Sequence, residues 1–181
     1  MPLPIQCQDV ISVFNGLFAV SHNTLLLCAL CDRRFGDLDE PVYEPVGGLR
    51  ASHQIVFAHC YFASALHKVS HWCVAGKAGL LLDDFGYWYR PDGRTERQQK
   101  QFEKVEIKPQ ALEWLFSLAN QRPFVASANN LTSKVCDDLT FRLAVSAQAR
   151  AYFTQGLPPQ AQLFLVQLQK TYAGQMTLEQ L

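Results

Sequence analysis

Hydrophobic residues fall at helical spacing in five stretches of this chain and in short strand-like runs in two more. Val10, Phe14, Leu17 and Phe18 share one face of a helix spanning residues 9 to 19, with Asp9 as its N-cap. A less regular stretch follows and ends in Asp39-Glu40-Pro41-Val42-Tyr43-Glu44-Pro45 and Gly47-Gly48, the chemistry of a loop or edge strand. Ile55 to Ala58 is a short apolar run with β-branched members, which predicts a buried strand. A helix from Tyr61 to Ala75 comes next, stopped near Gly76. Asp83 to Tyr89 alternates and is rich in aromatic residues, so it reads as a strand that turns at Pro91-Asp92-Gly93.

Downstream, Leu112, Leu115, Phe116 and Ala119 recur at helical spacing after Pro109, a residue suited to a first helical turn. Phe141, Val145, Ala149 and Tyr152 line a helix over residues 137 to 155, closed by Gly156. Pro158-Pro159 open a last helix using Ala161, Leu165, Leu168 and Tyr172, and the final residues are expected to fray. There is no internal repeat, linker or second core. The pattern predicts one compact α+β domain over residues 1–181, mostly helical with a small β-sheet.

Composition narrows the class. The 181 residues are 49% hydrophobic and 18% charged, enough for one apolar core and unlike a disordered chain. The formal net charge is zero, so no nucleic-acid surface is advertised. The polar run from Gly93 to Gln101 reads as a solvated loop or helix face. The first 32 residues carry no Lys or Arg, which argues against a secretory start. The apolar stretch from Thr24 to Cys31 is far shorter than the roughly 20 residues a membrane helix needs. Six cysteines without a signal therefore predict reduced thiols in the cytoplasm. Cys28-x-x-Cys31 lacks a second pair, so buried thiols are expected there rather than a zinc site. Nothing fixes an oligomeric state.

The candidate chemistry lies at His67 and His71. Spaced four apart on a helix, their imidazoles share one face and can hold one ion. The bland alternative is a pair of surface or hydrogen-bonded core histidines. Small neighbours (Ala63, Ser64, Ala65, Ser70), a third histidine at His59, and the acids Asp83, Asp84, Glu103 and Glu106 shift the balance toward a metal. Two histidines and one carboxylate occupy one face of an octahedral ion, an arrangement suited to Fe(II) with dioxygen and substrate on the open side. A zinc peptidase would need a glutamate directly after the first histidine as its base, and Lys68 stands there. Lys68 is expected to be an exposed cation on the solvent side. No histidine is followed two residues later by an acid, so 2-oxoglutarate is not supported as co-substrate.

Several blocks together resemble the elongation factor P hydroxylase family. They are Ile55-Val56-Phe57-Ala58-His59, Ala63 to His67, Ser70-His71-Trp72-Cys73 and Ala75-Gly76-Lys77-Ala78. They continue through Asp84 to Tyr89, Pro91-Asp92-Gly93-Arg94, and Phe102-Glu103-x-Val105-Glu106-x-Lys108-Pro109-Gln110-Ala111-Leu112. The resemblance is dense from about residue 55 to 116, within a metal-binding hydroxylase core of about 55–120, while Cys28 to Phe35 fits poorly. It implies an iron-dependent hydroxylase acting on the β-lysylated lysine of elongation factor P, with a His-x-x-x-His helix resembling zincin-type metal helices in place of an oxygenase barrel. Carried over, the metal ligands and catalytic residues are His67, His71 and Glu106, with Glu103 as alternative third ligand. Lys68 departs from the family's glutamate, which C–H hydroxylation does not need as a base. Asp84, Asp92 and Glu103 are candidate partners for substrate ammonium groups, and His59 and Tyr87 candidate substrate contacts. A zinc hydrolase and a non-catalytic module binding the translation factor are the rival readings.

Overall fold

Strand β3 (His53–Phe57) owes its place to its own apolar run: four of its five residues are buried, as befits the middle of a sheet. The computed structural model describes residues 5–31, 35, 38, 40–87, 94–128 and 138–181. β1 (Thr24–Cys28) pairs with β3 in parallel, and β2 (Val42–Glu44) pairs with its other side antiparallel, giving the order β1-β3-β2. β2 thus realises the edge-strand option. β1 had no counterpart in the hydrophobic pattern, because Thr-Leu-Leu-Leu-Cys offers no polar alternation. Asn15 covers its outer edge: the Asn15 side chain accepts from Leu26 N–H at 2.7 Å and donates to Leu26 C=O at 3.2 Å.

Among the described residues the sheet is accompanied by six helices: α1 (Ile5–Phe18), α2 (Phe62–Val74), the single turn α3 (Gly76–Gly79), α4 (Glu96–Ala119), α5 (Asp138–Gln155) and α6 (Pro159–Tyr172). The mostly helical α+β expectation holds. Phe14 of α1 sits at the centre of the core, its ring against Phe18, Trp72 and Phe164, with Phe116 beyond Phe164. α2 crosses α4 at this core, and that contact positions the site.

Several expectations are corrected. α1 begins before Asp9, which lies inside the helix and does not cap it. α4 begins not at Pro109 but at Glu96, where Thr95 and Gln98 form a reciprocal capping box. Pro109 is therefore interior; its missing N–H removes the hydrogen bond to the Val105 carbonyl, a loss the packed helix tolerates. Asp83 to Gly86 is a 3₁₀ turn, not a strand: Asp84, Phe85 and Gly86 take positive φ of 46°, 62° and 75°. A strand cannot contain three such residues in succession. Trp88, Tyr89 and the Pro91-Asp92-Gly93 turn lie outside the described residues.

The carboxyl-terminal end is docked rather than frayed, with Leu181 buried and its carbonyl accepting from Ser146 Oγ. Gly174 lies against the end of α4, where an added Cβ would collide with the Ala119 carbonyl. The thiol expectation also changes. Cys28, at the end of β1, is bonded to Cys60, ahead of α2, because the fold brings their Cα atoms to 5.8 Å, within disulfide range. Reduced thiols remain at buried Cys7 and Cys73. Paired cysteines no longer argue for a reducing compartment. No described helix is long and apolar enough to cross a membrane.

Candidate metal centre

α2 packs against α4, and this approach brings its two histidines up to the α4 acids. His67 and His71 stand one turn apart, and Glu106 faces both. His71 Nε2 lies 3.2 Å from His67 Nε2 and 3.1 Å from Glu106 Oε1, while His67 Nε2 lies 3.7 Å from Glu106 Oε2. Among the described residues this is the one group of three potential ligands that converges, with donor atoms all within 4.8 Å of one another. Donors at roughly 2.1 Å from an ion, set at right angles, are separated by about 3 Å. The separations of His71 Nε2 from His67 Nε2 and from Glu106 Oε1 fit that spacing, while His67 Nε2 meets the other carboxylate oxygen, Oε2, at the wider 3.7 Å. The donor set, two imidazoles and one carboxylate, suits a ferrous ion bound on one face.

Glu113 completes the arrangement and was not foreseen. Its Oε2 lies 2.8 Å from His67 Nδ1, so Nδ1–H donates and Nε2 is turned toward Glu106 and His71. Gln110, between the two acids, donates from Nε2 to Glu106 Oε2 at 3.1 Å. The same amide clasps the backbone of Ser127, donating to its carbonyl at 2.8 Å and accepting its N–H at 3.0 Å. Glu106, Gln110 and Glu113 are spaced four and three apart, one stripe of a helix. That signal was readable, but it vanishes once Pro109 is taken as the helix start.

The electrostatics show what the cleft lacks. Side-chain exposure is 7% for Glu106, 12% for Glu113 and 9% for His71, against 31% for His67, so the group is most accessible at His67. Burial disfavours a charge on His67, but the Glu113 charge and hydrogen bond, with Glu106 behind them, raise its pKa to about 9. Burial dominates at His71, whose pKa is lowered despite Glu106. Burial opposes ionisation of Glu106 too, yet His71, His67 and Gln110 bring it down to about 2. Two nearly buried carboxylates thus demand positive charge between them. Without an ion, a proton on His67 meets that demand; a divalent cation would meet it in full.

The surroundings sort the remaining candidates. Lys68, expected in solvent, is only 13% exposed, because α2 turns it under the 83–87 turn, where Nζ meets Asp84 Oδ1 at 2.7 Å. The same Asp84 oxygen accepts Tyr43 N–H at 2.8 Å, so this carboxylate is engaged within the fold. Phe85 lies parallel to the His71 ring at 6.3 Å, and exposed Tyr87 meets it edge-on at 5.8 Å. Glu103, one turn before Glu106, stands apart from the trio and accepts from Gln99 Nε2 at 2.9 Å. His59 is exposed ahead of α2, its ring 5.5 Å from Tyr61. Asp92 lies outside the described residues.

The profile of a family described as Elongation factor P hydroxylase matches residues 13–181 of this chain. A protein of Haemophilus influenzae named Elongation factor P lysine hydroxylase is 44% identical to it over 155 residues, covering 86% of this chain and 83% of that relative.

Proposed function

This chain belongs to the elongation factor P hydroxylase family, and on that premise we propose that it hydroxylates the β-lysylated lysine of elongation factor P, with Fe(II) held by His67, His71 and Glu106. The observation that carries this reading is the convergence of those three side chains in a cleft rich in negative charge and open on one side. Bound Fe(II) would supply activation of dioxygen, the chemistry that placing an oxygen atom on an unactivated carbon requires.

The chain's own residues prepare the place. Glu113 orients His67, Gln110 orients Glu106, and Phe85 and Tyr87 wall the cleft beside His71. An exposed tyrosine ring at that wall suits an alkyl stem ending in an ammonium group. Glu103 and His59 are further substrate contacts in this reading. The enzyme is then a cytoplasmic monooxygenase, working where its translation-factor substrate is, with no part for nucleic acid or membrane. Balance requires an external two-electron reductant, since one atom of dioxygen leaves as water.

The zinc-hydrolase alternative lacks a base. Lys68 follows the first histidine and is paired with Asp84, and Glu113 is bonded to His67. One experiment separates the readings: anaerobic loading with Fe(II) or Zn(II), then air, a reductant and β-lysylated factor, followed by intact mass. A gain of one oxygen atom with iron alone is the expected result. No gain with either metal would refute hydroxylation and leave a binding module.

A further inference from the structure

Lys68 stands between the two histidines in sequence, and its ammonium is held by a residue outside α2. It reaches Asp84 at 2.7 Å and passes 5.8 Å from the centre of the Phe85 ring. A lysine this deeply covered is uncommon and needs a partner. The partner is itself fastened, since the Asp84 oxygen that meets Lys68 also accepts Tyr43 N–H.

What the pair secures is a turn that its own sequence disfavours. Asp84 (φ 46°, ψ 35°) and Phe85 (φ 62°, ψ 16°) are consecutive left-handed residues, and neither is glycine. Such a conformation persists only where surrounding contacts over-determine it. Three contacts do so here: the Lys68 ammonium, the Tyr43 amide, and the Tyr43 ring stacked on Phe85 at 4.2 Å. The product of the turn is the aromatic wall, with Phe85 and Tyr87 both set against His71.

We propose that Lys68 is a positioning residue: by gripping Asp84 it clamps the 83–87 turn and so sets the wall along which substrate approaches the metal centre. Asp84 Oδ1 is then engaged within the fold by both Lys68 and the Tyr43 amide. The statement about substrate rests on the hydroxylase reading; the statement about the turn does not.

The test compares the full-length wild-type protein with Lys68→Met, which keeps the stem and removes the charge, and with Lys68→Arg, which keeps the charge. Asp84→Asn is a second variant that retains an acceptor for Tyr43 N–H, should Lys68→Met fail to fold. The amides of Tyr43, Phe85 and Tyr87 report directly, because they are bonded to Asp84 Oδ1, Leu82 C=O and Asp84 C=O. In Lys68→Met their hydrogen exchange is expected to rise about tenfold while other core amides stay unchanged. Co(II) binding should not weaken. KM for β-lysylated factor should rise about tenfold with kcat within about twofold, and Lys68→Arg should restore both exchange and KM.

Wild-type protection at those three amides overturns the clamp, as does an equal rise across the whole core. Local opening with unchanged KM overturns the role toward substrate. If no protein, wild type included, modifies the factor, the hydroxylase reading alone has failed, and exchange with Co(II) binding still decides the clamp.

Discussion

His67 Nδ1 lies 2.8 Å from Glu113 Oε2, and that one bond decides which imidazole nitrogen faces Glu106 and His71. Because Glu106 and Glu113 sit on the same face of α4, a single helix provides both the direct carboxylate and the one that aims the histidine. The two groups move together as one rigid element.

Glu113→Gln keeps shape while removing charge, so the fold should survive and the grip on metal should not. A loss of about 10–100-fold in metal affinity is expected, as for other carboxylates that orient a ligating histidine. Anaerobic Co(II) titration measures it; wild-type affinity would show that Glu113 is dispensable.

Glu106→Gln should cost far more than Glu113→Gln, because it alters the proposed direct ligand. Stoichiometric Fe(II) binding and turnover should both be lost, with at least a thousandfold fall in product formation. Metal content after gel filtration and intact mass of the factor are the readouts. An active variant would move the third ligand, with Glu103 the first place to look.

Acidity should set metal affinity through His67. Its pKa of about 9 means that metal must displace a proton from it at neutral pH, whereas His71 is already neutral and Glu106, near 2, already ionised. Apparent affinity should rise close to tenfold per unit from about pH 6 to 8. Metal-free stability runs the opposite way. A raised folded-state pKa gives a contribution complete below about 6.5, the unfolded value, and lost as pH climbs through about 9. Co(II) titrations and urea melts across this window test both signs, and a flat affinity profile would refute the protonated His67.

Gly174→Ala should destabilise the protein by about 1–3 kcal/mol, because the new methyl meets the Ala119 carbonyl, a backbone atom that cannot rotate aside. Urea unfolding of the metal-free protein provides the measurement. No change would mean that this end of α6 shifts freely against α4.

The legible parts were those where one residue's chemistry acts locally. α5 and α6 announce themselves through Phe141, Val145, Ala149 and Pro159, and their boundaries fall close to the pattern. The His67 and His71 pair was visible because four-residue spacing on a helix is its own geometry. Lys68 was not, because its partner Asp84 lies 16 residues away on a turn whose conformation no periodicity encodes. Asp83 to Tyr89 imitated a strand through alternating aromatics, while the backbone from Asp83 to Gly86 curls into a turn held by Tyr43 and Lys68. Glu113 stayed hidden for a different reason: the amino-terminal half of α4 is polar, and Pro109 has the chemistry of a helix start.

Gln110 has a consequence for the surface. Its side chain holds Glu106, the proposed ligand, with one hydrogen bond and the peptide of Ser127 with two more. Surface connections usually tolerate added residues. The span from Arg122 to Ala128 should not: a residue inserted there would drag on the amide that holds Glu106, so on the proposed reading its length is set by the chemistry beneath it.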